Sequence, residues 1–227
     1  MRLVLFDIDG TLISDGGAAR TAFADAIDAV FGYGEDLSRY DFSGRTDPQI
    51  AFMILRDAGL SDETINFRLD ALWSHYLDGL ARNATAGRVQ PLTGIQALLD
   101  ALLPRQDVML ALLTGNLERG ARLKLEGPDL NRYFPFGAFG SDSAKREELP
   151  PIAVARASER NGHRFEGADV VILGDSIYDV RCGVPHSATT IAIASGKTPA
   201  ETLRAENPTH LFDSAEDLGA LMDAILG

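Results

Sequence analysis

Asp7 and Asp9 stand in the stretch Asp7-Ile8-Asp9-Gly10-Thr11-Leu12, directly after the apolar run Leu3-Val4-Leu5-Phe6. A short apolar run with a β-branched member reads as a buried strand, and the glycine that follows lets the chain turn. Two carboxylates are thus expected where a buried strand ends. A charge in such a place is disfavoured unless it is paired or bound to a metal, so the pair asks for a cation, a proton-transfer role, or both. The other reading is a strand cap followed by a polar turn. Three further groups bear on the choice. Thr114-Gly115-Asn116 offers a hydroxyl and backbone N–H groups able to start a helix and receive an anion. Lys145-Arg146 is a basic pair ahead of a helix beginning near Leu149. Gly174-Asp175-Ser176-Ile177-Tyr178-Asp179 combines a tight turn with two acids one helical turn apart. Carboxylates at the ends of adjacent strands suit a hard, oxygen-seeking cation, Mg²⁺. A hydroxyl, an amide turn and a basic side chain suit the outer oxygens of a phosphoryl group, whose transfer depends on positioning and charge neutralisation. An aspartate can itself act as nucleophile and form an aspartyl-phosphate.

The elements that must position these groups are legible as alternating patterns. Strand-like runs recur at Leu3–Phe6, Val108–Leu113, Val170–Leu173 and Thr189–Ala194, with weaker ones at Ala138-Phe139 and His210–Phe212. Helical patterns fall between them at Leu92–Leu103, Leu149–Asn161 and Ala215–Leu226. This alternation predicts an α/β fold, a Rossmann-like parallel sheet covered on both faces, in which ligands bind beyond the carboxyl ends of the strands. Every candidate group above sits at such an end. From about Ser14 to Gly87 the alternation stops, and only helical runs are evident: Ala18–Phe31, Pro48–Ala58 with Asp47 as N-cap, and Ser61–Asn83. Ile65, Leu69, Leu72, Trp73, Tyr76 and Leu80 form a stripe read as helix-bundle core. The expected division is therefore a core of residues 1–14 and 88–227 with an all-helical insert, a cap domain, at 15–87. Asp15-Gly16-Gly17 and Ala84–Pro91 are the candidate hinges.

Composition limits the partners. The chain has 227 residues, 45% of them hydrophobic, and carries 21 basic against 33 acidic side chains, a formal charge of −12. That charge argues against nucleic acid or an anionic membrane, yet a local cation site can still receive a phosphorylated small molecule. Cys182 is the only cysteine, which excludes an intrachain disulfide and suits a reducing compartment. Asp7 and Asp9 interrupt the N-terminal apolar run too early for a secretory signal, and no apolar stretch is long enough to span a bilayer. A cytoplasmic protein, monomer or homodimer, is expected.

The motifs carry a resemblance. Asp7-Ile8-Asp9-Gly10-Thr11-Leu12 resembles the opening signature of the haloacid dehalogenase superfamily, Leu112-Leu113-Thr114 its second motif, and Gly174-Asp175-Ser176 through Asp179 its fourth. The helical insert resembles the cap of the phosphoglycolate phosphatase and β-phosphoglucomutase-like branch. The resemblance implies Asp7 as nucleophile and Mg²⁺ ligand. It implies Asp9 as general acid, then base, and as a ligand through its backbone carbonyl. Asp175 becomes the third metal ligand and Asp179 an outer partner or further ligand. Thr114 would bind the phosphoryl oxygens, with Gly115 and Asn116 lining the site. The third motif departs from the family's lysine followed by proline: Lys145-Arg146-Glu147-Glu148-Leu149 offers two cations. Arg146 is favoured, because a related subgroup places an arginine shortly before a similar Leu-Pro helix start and an arginine can hold an anion bidentately. Lys145 is the other candidate.

In the cap, Ser43-Gly44-Arg45-Thr46-Asp47 can recognise an anionic substrate tail through Arg45, or be a plain helix cap with a surface arginine. His75, His163, His186, His210, Cys182, Asp15 and Lys197 are given structural or surface roles. The implied activity is Mg²⁺-dependent hydrolysis of a small phosphorylated metabolite, phosphoglycolate-like or a sugar phosphate, through an aspartyl-phosphate. A phosphosugar mutase of the same fold is the alternative. A dehalogenase fits less well because that branch lacks the second acid, and a phospho-accepting receiver module has no need of a cap.

Overall fold

A computed structural model describes residues 1–84 and 88–227. Along the chain run β1 (Arg2–Phe6), β2 (Ile13–Ser14), α1 (Ala18–Phe31), α2 (Asp47–Asp57), α3 (Asp62–Asn83), β3 (Gln90–Pro91), α4 (Ile95–Leu102), β4 (Val108–Thr114), α5 (Glu118–Glu126), β5 (Gly137–Phe139), α6 (Leu149–Asn161), β6 (Val170–Gly174), α7 (Ile177–Gly183), β7 (Thr189–Ile193), α8 (Ala200–Ala205), β8 (His210–Phe212) and α9 (Leu218–Leu226). A six-stranded parallel sheet has the order β5-β4-β1-β6-β7-β8. β1 is central, with Phe6 opposite Leu112 on one side and Leu173 on the other. The strand order reverses there, the place where sheets of this kind open a crevice.

Alternation along β1 sends its side chains to two separate cores. Val4 and Phe6 pack with Leu98 and Leu99 of α4 and Leu221 of α9. Leu3 and Leu5 pack on the other face with Leu149 and Ala153 of α6. A strand buried on both faces needs the continuous apolar run that the sequence shows.

The cap is a third cluster. Phe23 and Ile27 of α1 meet Ile54 of α2 and Leu72, Tyr76 and Leu80 of α3, and the Phe23 and Tyr76 rings lie 4.9 Å apart. From the core, Leu117 at the N-cap of α5 joins this cluster, and Leu123 of the same helix packs against it. The N-cap of α2 is Thr46 and not Asp47. The Thr46 hydroxyl accepts from the Gln49 N–H while the Gln49 side chain accepts from the Thr46 N–H, a reciprocal box that only the residue before Asp47 can form with Gln49. Ile13–Ser14 pairs antiparallel with Gln90–Pro91, so a short ribbon joins the two chain crossings to the cap. Two-residue strands carry no periodicity to read. Of the second expected hinge, Thr85–Gly87 lies outside the described residues. Among the described residues, no helix is long and apolar enough to cross a membrane.

Candidate active site

The ends of β1 and β6 deliver the acids to one place, beside Thr114 and Asn116 at the end of β4. Asp7 follows β1 and continues the ladder, its N–H donating to the Leu173 carbonyl at 3.0 Å. Asp175 follows β6, and Ser176 caps α7. The Asp179 Oδ2 accepts from the Ser176 N–H at 3.0 Å and hydroxyl at 2.6 Å. Carboxylate oxygens of Asp7, Asp175 and Asp179, all buried, lie within 4.8 Å of one another. Arg146 is 3% exposed; its Nη2 lies 3.1 Å from Asp7 Oδ1 and is also hydrogen-bonded to Asp179 Oδ1.

Burial pushes the Asp7 carboxyl up to about 7, against the opposing pull of Arg146 and with added repulsion from Asp179 and Asp9. Burial, then repulsion from Asp7 and Asp179, pushes Asp175 up to about 8. Thr11 Oγ1 donates to Asp175 Oδ1 at 3.2 Å. Two glycines confine this carboxylate: a Cβ on Gly10, whose φ is +83°, would sit 2.4 Å from Asp175 Oδ2, and one on Gly196 would sit 1.6 Å from it.

Three buried carboxylates thus share a single arginine, and two of them resist ionisation. An oxygen-only donor set with this deficit of positive charge fits a hard divalent cation such as Mg²⁺. Of the expected ligands, Asp7 and Asp175 fall in this group. For Asp9 the expected ligand is the backbone carbonyl; its carboxylate turns away from this group, to Lys124 of α5 and to Asn116. The third carboxylate of the group is Asp179, and both its oxygens are already engaged by Arg146 and Ser176.

Lys124, on α5, is 2% exposed. Its Nζ lies 2.6 Å from Asp9 Oδ2 and 2.6 Å from Asn116 Oδ1. The Asn116 Nδ2 donates to Asp9 Oδ2 at 2.8 Å and to Thr114 Oγ1 at 2.8 Å. Asp9 Oδ1 is buried and has no hydrogen-bond partner among the described residues. Sequence reasoning missed Lys124. It sits in a helix of mixed charges, Glu118-Arg119-Gly120-Ala121-Arg122-Leu123-Lys124-Leu125-Glu126, where a lysine looks like one more solvated residue.

The cap closes over these groups. The Asp47 N–H donates to the Gly115 carbonyl at 2.8 Å, the Asp47 Oδ2 accepts the Leu117 N–H at 2.8 Å, and the Thr46 hydroxyl donates to the Ala144 carbonyl at 2.7 Å. Burial raises Asp47 to about 6, against the attraction of Lys124 and the Leu117 hydrogen bond. A Cβ on Gly115 would lie 2.1 Å from the Arg45 carbonyl, and one on Gly44, whose φ is +65°, would lie 2.3 Å from Ser176 Oγ. The cavity between cap and core measures about 440 Å³ and is lined by acids Asp7, Asp9 and Asp175 and by cations Arg45, Lys124 and Arg146. The Arg45 guanidinium lies 5.5 Å from the Tyr178 ring centre, and its buried Nε has no hydrogen-bond partner among the described residues. Asp15 and Lys197, read from sequence as loop residues, also face the cavity. Lys145 is elsewhere: its side chain is 66% exposed and its Nζ lies 3.2 Å from Glu148.

Known proteins resemble this chain in sequence and in fold. A family model described as haloacid dehalogenase-like hydrolase matches residues 4–183. Phosphoglycolate phosphatase 1 of Pseudomonas aeruginosa is 27% identical over 226 residues, covering 96% of this chain and 78% of its own. A hydrolase from Pseudomonas syringae superposes with a TM-score of 0.74 at 20% identity, over 99% of both chains. CbbY from Rhodobacter sphaeroides, solved in complex with phosphate, superposes with a TM-score of 0.72 at 19% identity, over 96% of both chains.

Proposed function

Because the chain belongs to the haloacid dehalogenase-like hydrolase family, we propose that it is a phosphatase in which Asp7 attacks the phosphorus of a small phosphorylated metabolite. The observation that carries this reading is the separation of the two acids of one strand end. Asp7 is held by Arg146 and Asp9 by Lys124, with both facing one cavity. A nucleophile and a proton carrier need that division of surroundings.

In the first half-reaction the Asp7 carboxylate bonds to phosphorus, the bond from phosphorus to the leaving oxygen breaks, and Asp9 gives that oxygen a proton. In the second, Asp9 takes a proton from water, the water oxygen bonds to phosphorus, and the bond from phosphorus to Asp7 breaks to release inorganic phosphate. Arg146 orients Asp7 and lends positive charge to the phosphoryl oxygens, beside Thr114, Gly115 and Asn116. Asp7, Asp175 and the Asp9 backbone carbonyl would hold Mg²⁺, with Asp179 behind them. When bound, the ion supplies positive charge to the crowded oxygens. The division into a core, 1–14 with 88–227, and a cap, 15–87, belongs to the same proposal. So does a phosphoglycolate-like or sugar-phosphate substrate, whose anionic tail Arg45 would meet.

The test is Mg²⁺-dependent release of phosphate from p-nitrophenyl phosphate, abolished by chelator and in Asp7→Asn. Unchanged turnover in that variant would overturn the assignment.

A further inference from the structure

We propose that Lys124 is a positioning residue for the proton carrier: with Asn116 it pins one oxygen of Asp9 and so fixes the orientation of the carboxyl group that exchanges the proton. The proposal rests on the phosphatase reading above and extends it to a residue outside the motifs that carry the family resemblance.

A lysine head at 2% exposure is disfavoured unless it meets opposite charge and good acceptors. Lys124 meets both, in the Asp9 carboxylate and the Asn116 carbonyl beside its Nζ. Its Nζ can only donate, so Asn116 must turn its carbonyl toward Lys124 and its amide toward Asp9. The three side chains therefore close a ring, with contacts of 2.6 Å from Lys124 to Asp9, 2.6 Å from Lys124 to Asn116 and 2.8 Å from Asn116 to Asp9. Both donors fall on the same oxygen, Oδ2. Oδ1 keeps no partner among the described residues. A carboxylate gripped at one oxygen by two donors loses its freedom to turn about its side-chain bonds, which is the preorganisation that proton transfer rewards. Thr114 anchors the far side of the ring through Asn116 at 2.8 Å, so the grip is tied to the end of β4.

The test compares wild type, Lys124→Met and Lys124→Arg by stopped flow with Mg²⁺, on two esters. Departure of p-nitrophenolate needs little protonation. Departure of phenolate, about as basic as a tyrosine side chain near pKa 10, needs it. In Lys124→Met the expected result is unchanged KM and a steady-state kcat lower by about 10²-fold on both esters. A burst of p-nitrophenolate should survive, because the first half-reaction with that ester runs without the acid while the water step still needs Asp9. Phenyl phosphate should show no burst. Lys124→Arg, which keeps a charged donor, should recover most of the loss.

Wild-type kcat in Lys124→Met overturns the proposal, as does a variant that loses burst and turnover together, or one whose KM rises with kcat retained. If Lys124→Met fails to fold, Lys124→Met/Asp47→Asn, which removes a carboxylate stranded without its cation, is read the same way against Asp47→Asn. A wild type inert on both esters defeats the phosphatase reading itself, and with it this role. An active wild type beside an indifferent Lys124→Met defeats only the role of Lys124.

Discussion

Asp7 and Asp9 leave the same strand end and answer to different cations. Asp7 lies 3.1 Å from Arg146 and shares it with Asp179. Asp9 lies 2.6 Å from Lys124. The basic pair ahead of α6 is likewise split, since Arg146 is 3% exposed while the Lys145 side chain is 66% exposed and turned to Glu148. A guanidinium can bridge two carboxylates and still present a planar two-donor edge to a phosphoryl group, where an ammonium offers a compact point charge. Arg146→Ala should therefore lower kcat/KM by about 10²-fold or more, Arg146→Lys should recover only part, and Lys145→Ala should stay within about twofold of wild type, read by steady-state kinetics. A larger loss in Lys145→Ala would reverse the assignment. Arg146 was legible from the sequence because an arginine stands just before Leu149-Pro150. Lys124 was not, because nothing in a run of alternating charges says which side chain turns inward. The face α5 turns inward is set by tertiary packing, with Leu117 drawn into the cap's apolar cluster and Leu123 packed against it.

At the scale of elements, the site is completed by α2 docking on the turn after β4. Thr46 and Asp47 reach three core backbone groups, at Ala144, Gly115 and Leu117. The approach is possible only because Gly115 has no side chain: a Cβ there would stand 2.1 Å from the Arg45 carbonyl and 2.8 Å from Thr46 Cα. Gly115 lacks the positive φ that only glycine tolerates well, so Gly115→Ala tests the approach and not backbone strain. The methyl meets the cap loop and spares the sheet. Gly115→Ala should keep the wild-type thermal midpoint within a few degrees, raise KM and lower kcat/KM about tenfold or more, since misplacing a substrate-positioning loop is amplified in rate. It should also speed proteolysis at the Ser14–Gly17 crossing. Wild-type kinetics in Gly115→Ala would show that this contact is not part of the working state. The elements themselves were largely legible: the long apolar strands and α1, α3 and α6 have strong periodicity or caps. The ribbon of β2 and β3 and the short α8 were missed because two to six residues carry too little pattern. The start of α2 slipped by one because Thr46 and Asp47 are both good caps and only the partner at Gln49 decides between them.

For the molecule as a whole, burial of acids sets how stability answers to pH and metal. The chain already carries a formal charge of −12. Folding places Asp47, Asp7 and Asp175 where their carboxyls are raised to about 6, about 7 and about 8. A carboxyl whose folded value exceeds its unfolded value binds its proton more tightly in the folded state. Its contribution is complete below the unfolded value near 3.8 and is lost as pH rises through the folded one. Without metal, the free energy of unfolding contributed by these groups should fall between about pH 4 and pH 8, the reverse of an acid held low by an arginine. Mg²⁺ competes with the protons on Asp7 and Asp175, and anything that binds only the folded state stabilises it. Added Mg²⁺ should therefore raise the denaturation midpoint clearly at pH 8 and scarcely at pH 5. Asp175→Asn should remove most of that gain while making the chelated protein more stable than wild type at pH 8, because a neutral amide takes the place of a crowded charge. Urea titrations with Mg²⁺ and with chelator at both pH values measure all of this. Equal Mg²⁺ gains at pH 5 and pH 8, or a chelated protein that grows more stable across this interval, would mean that the acid cluster does not set the balance.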